Sequence, residues 1–137
     1  ALSKNSYIVL LQPTSPLRNE KHIDEAISIF LKLKRNVLVS VRESKEVIQK
    51  HFFLTKKKFL KTVFPEKLSH KRRQDLKKTY TPNGAIYIFS ISSFLKYKEI
   101  RLSQAVPYLM DQSASIDIDT DEDLEYLKFL GKNNGRI

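Results

Sequence analysis

The sequence contains no cysteine, only three glycines, and no apolar run longer than five residues, and each shortage excludes a class of function. Without cysteine there is no disulfide framework, no thiolate zinc site and no cysteine nucleophile, a composition that fits a reducing compartment. Gly84, Gly131 and Gly135 are too few and too scattered for a G-x-G-x-x-G or G-x-x-x-x-G-K-[ST] loop, so no standard glycine-rich phosphate cradle is expected. The stretches Tyr7–Leu11 and Ala85–Phe89 fall far below the ~20 residues that cross a bilayer, so neither a membrane span nor a secretory leader is expected. Ala1 in place of methionine is expected of a chain that is processed, engineered or cut from something longer.

What the sequence does hold is charge, unevenly placed. The 137 residues include 25 Lys and Arg against 15 Asp and Glu, a net charge of +10 and a pI near 9.8. Thirteen basic and four acidic residues fall between Arg42 and Lys78, which concentrates nearly all of the excess there. From Asp111 to Glu125 there are seven acidic residues and no Lys or Arg. The basic block, with Phe52, Phe53, Phe59 and Phe64 among its lysines, suits nucleic acid, a polyphosphate or sugar acid, or a solvated insertion. No recognisable nucleic-acid module accompanies it.

The length predicts one domain with a core of its own. Tyr7–Leu11, closed by Pro13 and Pro16, reads as a buried strand entering a loop. Ile23, Ala26, Ile27, Phe30 and Leu31 recur at helical spacing, with Asp24 and Glu25 early and Lys32, Lys34 and Arg35 late, so an amphipathic helix is predicted with both ends of its dipole complemented. Val37–Val41 reads as a second buried strand. Strand, helix, strand predicts a right-handed parallel unit and an α/β sheet covered on both faces. The stretch 43–78 breaks this pattern and reads as an excursion from the sheet. Ala85–Phe89 is a further strand after a Pro82-Asn83-Gly84 turn, with a helical period beginning at Ile91.

Ile116-Asp117-Ile118-Asp119 alternates with period two, which predicts a strand with both aspartates on one face, roughly 7 Å apart at Cα. Such a pair suits a hard cation, and equally an exposed strand edge before an acidic helix start. Thr120 is a good N-cap for a helix carrying Leu124, Leu127 and Leu130, with Asp123 as its capping partner. Gln12 emerges where a strand ends, the place where ligands collect in open α/β sheets, and its amide suits a hydroxyl or a carboxylate; a loop residue that satisfies nearby backbone is the other reading. Arg73 carries a planar fork suited to a carboxylate or phosphate but is one of several cations there. Tyr87 reads as core. His22, His51 and His70 show no zinc or triad spacing.

Four segments in sequence order together resemble the acylneuraminate cytidylyltransferases, which make CMP-sialic acid and related CMP-nonulosonic acids. They are Leu10–Arg18 (LLQPTSPLR), Arg73–Leu76 (RQDL), Asn83–Phe89 (NGAIYIF) and Ser115–Thr120 with Asp123 and Leu124. The resemblance implies a Rossmann-like nucleotidyltransferase sheet, an inserted dimerisation arm over about 43–78 and a cytoplasmic homodimer. It implies transfer of CMP from CTP to the anomeric hydroxyl of an acidic nonulosonic sugar, with release of pyrophosphate and with Mg²⁺ required. By the same resemblance Asp117 and Asp119 would hold Mg²⁺ as the catalytic pair. Gln12, Arg73, Gln74, Asn83 and Tyr87 would line the substrate site. The family's N-terminal strand and basic glycine-containing loop for the CTP phosphates have no counterpart here. The chain matches about the C-terminal three-fifths of such an enzyme and is expected to be inactive alone. Lys77 stands where the family often has proline, and the neighbourhood of an aromatic acyl pocket falls near Lys98–Arg101. Neither a membrane nor nucleic acid is expected as a partner. The competing reading is a basic module that binds polyanions or nucleic acid without catalysis.

Overall fold

The computed structural model describes Ser3 and residues 6–134. The chain divides into two compact units, one formed by residues 1–42 with 82–137 and the other by residues 43–81.

In the first unit the principal sheet has the order β1 (Tyr7–Leu10), β5 (Tyr80–Ser90), β2 (Val37–Glu43), β6 (Val106–Leu109). β1 pairs antiparallel with β5 and β2 pairs parallel with β6, so the sheet is mixed. The predicted strand–helix–strand unit is present in sequence, but β5 lies between its two strands. The run Tyr7–Leu11 reads as a buried strand, yet Tyr7, Ile8 and Leu10 are exposed, because among the described residues β1 is the end strand of this sheet and pairs with β5 alone. Val37–Val41 is buried residue for residue, as a central strand covered on both faces should be.

Helix α1 (Glu20–Leu33) starts at a capping box in which histidine replaces the usual glutamate: Asn19 Oδ1 accepts from His22 N at 3.1 Å, and His22 Nδ1 accepts from Asn19 N at 3.2 Å. It ends at Lys34 in the left-handed conformation. Ala26 and Phe30 turn inward to join Leu38, Ala85, Ile86, Ile88, Tyr108 and Met110 in the core. Tyr108 donates to Glu25 Oε2 at 2.7 Å, joining β6 to α1, and burial followed by this bond pushes its phenol pKa up. Helix α2 (Ile91–Tyr97) is capped by Ser90 Oγ, and α3 spans Asp121–Asn134.

Two local expectations are corrected. Pro82-Asn83-Gly84 is not a turn before a strand but part of the eleven-residue β5, with Gly84 at φ +76°. Ile116–Asp119 is not a strand: it follows a short 3₁₀ turn at Ser113–Ser115 and runs irregularly, tied by Ile118 N donating to Thr14 O at 2.9 Å. Its alternation reflects a segment packed between a loop and a helix start, where no second strand supplies a ladder.

In the second unit β3 (Phe52–Leu54) and β4 (Leu60–Thr62) form a hairpin in the register Phe53 opposite Lys61. Thr55 closes it by exchanging hydrogen bonds with the backbone of Phe59 at 2.9 and 3.0 Å. Phe53, Leu54, Phe59 and Leu60 are all exposed. Lys78 Nζ meets Glu43 Oε2 at 2.9 Å.

The first unit is pinned by a buried polar network centred on Asn83, only 3% exposed. Its Oδ1 accepts from Ser40 Oγ at 2.6 Å and from Ala85 N at 3.2 Å, while its Nδ2 donates to Ser115 Oγ at 2.8 Å. Ser40 Oγ in turn accepts from Ile86 N at 2.7 Å, and Ser115 Oγ donates to Asp111 O. Asn83→Ala removes the acceptor from two buried donors and is expected to lower unfolding free energy by roughly 2–4 kcal/mol, measured by urea denaturation. An unchanged midpoint would mean that the network is replaceable.

Candidate functional site

The site is assembled where the loop after β1 meets the segment before α3. Pro13 and Pro16 keep residues 11–18 from continuing as strand or helix. Two successive turns fold the loop, with Ser15 N donating to Gln12 O and Arg18 N to Ser15 O, both at 3.4 Å. Arg18 then clamps it: one guanidinium nitrogen, Nη1, lies 2.9 Å from both Gln12 O and Ala85 O. Gln12 is thereby held against β5 by a charge-assisted donor, the stronger kind.

Gly84 provides the room. A Cβ built at this position would run into Gln12 Oε1 and lie 3.2 Å from Asp117 Oδ2. The side chains of Gln12 and Asp117 therefore converge over the one residue in this part of β5 that has no side chain, and its left-handed φ is the conformation glycine alone adopts freely. Asp117 is brought in by the bond from Ile118 N to Thr14 O. Its Oδ1 is buried with no hydrogen-bond partner. A buried carboxylate oxygen left unpaired is costly in a folded chain unless a donor, a water or a cation satisfies it.

The other anticipated residues are distributed as follows. Asp119, two residues on, is exposed, and its backbone N–H donates to Asp123 Oδ2 at 3.1 Å. Asn83 is spent on the buried network and lies beside Gly84 in sequence. Tyr87 is half-buried on β5 opposite Leu10 of β1. Arg73 and Gln74 belong to the second unit, on a short 3₁₀ turn at Arg73–Asp75, where both are exposed and Arg73 Nη2 donates to Lys45 O at 3.0 Å. Arg101, near the anticipated acyl-pocket neighbourhood, stacks over the Tyr97 ring at 4.6 Å and lines a cleft of about 710 Å³ beside the amino ends of β2 and β6.

Sequence reasoning did not single out Arg18 or Gly84 as contributors to the site. Arg18 was legible as a lone guanidinium in a Pro- and Ser-rich loop, where it is the obvious donor for stranded carbonyls. Gly84 gave no such signal, since its role depends on what approaches from two distant segments.

Among the described residues no three His, Asp or Glu side chains stand close enough to hold a metal by themselves. The chemistry of the donor set still fits Mg²⁺, which takes one or two carboxylates and completes its shell with water and substrate phosphates. The orphaned Oδ1 of Asp117 is consistent with that fit.

No family model matches the sequence. It is 37% identical to an N-acylneuraminate cytidylyltransferase of Streptococcus agalactiae over 124 residues, which cover 87% of this chain and 29% of that protein. It is 35% identical over 117 residues to the enzyme of the same name from Escherichia coli, covering 85% of this chain and 27% of the relative. It is 30% identical to the pseudaminic acid cytidylyltransferase of Campylobacter jejuni over 128 residues, covering 93% of this chain and 55% of the relative. The chain thus spans between about a quarter and about half of the length of these curated relatives.

Gly84→Ala is expected to cost roughly 1–3 kcal/mol of stability through backbone strain and to displace Gln12 or Asp117 as well. Calorimetry checks the first effect, and an unshifted melt would refute it. A pH dependence follows from the cap of α3. The Thr120 hydroxyl, then the backbone N–H groups of Asp119 and Thr120, hold the Asp123 carboxyl below its ordinary value. Because the folded state lowers this pKa, its contribution to stability is present above the unfolded value of about 4 and is lost as pH falls through the lower, folded one. Asp123→Asn should therefore flatten the acid limb of a melting-temperature profile below pH ~4, and a parallel limb would refute the cap.

Proposed function

We propose, from the premise that this chain is homologous over most of its length to the acylneuraminate cytidylyltransferases, that it supplies the sugar- and metal-binding portion of a CMP-nonulosonate synthetase. The observation that carries the reading is the convergence of Gln12 Oε1 and Asp117 Oδ2 over Gly84. An amide that reads a sugar hydroxyl stands there beside a carboxylate whose second oxygen lacks a partner.

In this reading the anomeric oxygen of a sialic-type acid attacks the α-phosphorus of CTP. The new O–P bond forms as the bond to the β-phosphate oxygen breaks, and pyrophosphate leaves. Mg²⁺, when bound, neutralises charge developing on the phosphates. Asp117 would hold it, with Asp119 as the second carboxylate. Gln12 orients the sugar: its backbone carbonyl is fixed by Arg18, which sets the point on the loop from which the carboxamide reaches out. Arg73 and Gln74 belong to the second unit, and the guanidinium fork of Arg73 is of the kind that suits a carboxylate. Tyr87 is assigned to the wall of the site formed by Gln12 and Asp117, and Asn83 to the support of Gly84.

The reading includes the second unit as a dimerisation arm. The hairpin carries Phe53, Leu54, Phe59 and Leu60 exposed together, an apolar set that a second subunit would cover. No described helix is long and apolar enough to cross a membrane, and a cytoplasmic setting is part of the proposal. The phosphate-gripping loop is assigned to other sequence, so activity belongs to the whole polypeptide that carries this chain. The names of the matched relatives give no support to a purely polyanion-binding module.

CMP transfer by that polypeptide, assayed with CTP and a nonulosonic acid, tests the proposal. Asp117→Asn is expected to lower kcat by about 100-fold or more, the scale of losing a charge-stabilising group. Gln12→Ala is expected to raise KM for the sugar by about 10-fold with a smaller change in kcat. Full turnover in Asp117→Asn would end the metal assignment.

A further inference from the structure

The cleft of about 710 Å³ beside the starts of β2 and β6 lies wholly within the first unit. Asn36, on its wall, accepts from Ser90 N through its backbone oxygen at 2.9 Å. The cleft therefore stands at the Ser90 end of β5, roughly 20 Å along the strand from Gly84 at about 3.3 Å per residue. Leu33, Val37, Ala105, Val106 and Pro107 give it apolar walls, and Ser93, Ser103 and Gln104 add hydroxyl and amide groups. That size and that mixture are those of a small-molecule site. Two arginines, Arg35 and Arg101, line it, and no carboxylate does.

Helix ends do not account for this charge. α1 and α2 finish at Lys34 and Lys98, next to residues that line the cleft, and each helix end carries about half a negative charge at most. Residues 32–37 and 93–107 hold Lys32, Lys34, Arg35, Lys96, Lys98 and Arg101 against Glu99 alone, so most of the surplus is left over. Neither arginine has an ion pair among the described residues. Arg101 is held instead by the Tyr97 ring, 4.6 Å from its guanidinium carbon, with Lys96 Nζ 5.0 Å from the same ring. Lys96, by hydrogen bond and charge, and then Arg101 hold the Tyr97 phenol below its ordinary value, as a positive potential should. A guanidinium whose face rests on a ring keeps its N–H edge for an anion.

That edge matches phosphate oxygens in pairs, and a phosphate monoester brings close to two negative charges to the surplus. Phosphate alone would leave the apolar walls bare. We infer that this cleft binds a phosphorylated small molecule, its phosphate on the fork of Arg101, its organic body against the wall that includes Val37 and Val106, and Arg35 adding to the attracting field. The inference makes no use of the reading of Gln12 and Asp117.

Isothermal titration of the full chain at low ionic strength tests it, with AMP and glucose 6-phosphate as probes and with adenosine, glucose and inorganic phosphate as their separate parts. At least one phosphorylated probe is expected to bind about 10-fold or more tightly than either of its parts, and more weakly as salt is added. Arg101→Gln is expected to weaken that binding about 10-fold, the scale of a lost charge-assisted bond, and Arg35→Gln about 3-fold, the scale of an exposed charge. Ser103→Asp leaves the stack of Arg101 on Tyr97 untouched and sets a carboxylate on the wall, so it is expected to weaken binding at least as much as Arg35→Gln. Asp117→Asn is expected to change nothing. Absence of binding by both phosphorylated probes overturns the inference, as does affinity no better than that of the parts. Binding that ignores Arg101→Gln and Ser103→Asp, or that is lost in Asp117→Asn, places the ligand elsewhere and overturns it too.

Discussion

The carboxamide of Asn83 is the constraint from which the site's geometry follows. It joins β2 through Ser40 and the chain beyond β6 through Ser115, and it takes the N–H of Ala85 on its own strand. A strand residue ordinarily gives its neighbours freedom to pleat regularly. Here the side-chain bond from Ala85 N back to Asn83 forces a local departure, and the next position, Gly84, absorbs it at φ +76°. The departure opens a gap on β5. Gln12 and Asp117 meet over that gap because no Cβ fills it. A buried network that looks purely structural thus decides where the Gln12 amide and the Asp117 carboxylate come together.

Arg18 performs the matching task from the loop side. Its guanidinium spans Gln12 O and Ala85 O, so the loop is fixed to the strand at the residue that follows Gly84. Positioning of this kind lowers the number of conformations from which a ligand must select, and its benefit is paid once, at folding.

Much of the fold was legible where a segment's environment is uniform. Val37–Val41 is apolar without alternation and proved to be a central, doubly covered strand; the helical spacing from Ile23 to Leu31 matched α1; Thr120 with Asp123 matched the cap of α3. Misreadings arose where pairing overrides local pattern. Tyr7–Leu11 has the same apolar density as β2, yet it lies at the end of the described sheet, and composition cannot tell an end strand from a central one. β6, with Pro107 inside four residues, gave no strand signal and exists because β2 offers a partner. Pro82-Asn83-Gly84 has turn chemistry, but the asparagine's bonds are long-range, 43 and 32 residues away, which no local rule can anticipate. Gln12 and Asp117 were readable as candidates, and the resemblance implied that they meet; the means of their meeting was not readable, because it depends on Gly84 and on a backbone bond between Thr14 and Ile118.

The interior polar groups fall into two kinds, and the difference separates scaffold from site. Ser40, Asn83 and Ser115 are buried with their hydrogen bonds made, so they contribute stability and specificity with nothing left to offer a ligand. Asp117 is partly buried with one oxygen unsatisfied, within a few residues of a fully satisfied serine and of the well-bonded Asp123. A chain that meets the demands of Ser115 and Asp123 with several bonds each has the means to satisfy Asp117 as well. Leaving that oxygen open is destabilising on its own, and such departures from local consistency concentrate where binding energy later compensates them. The acidic stretch from Asp111 to Glu125 points the same way. Most of its charge faces water or caps α3, and the one carboxylate drawn inward is the one that Gln12 accompanies.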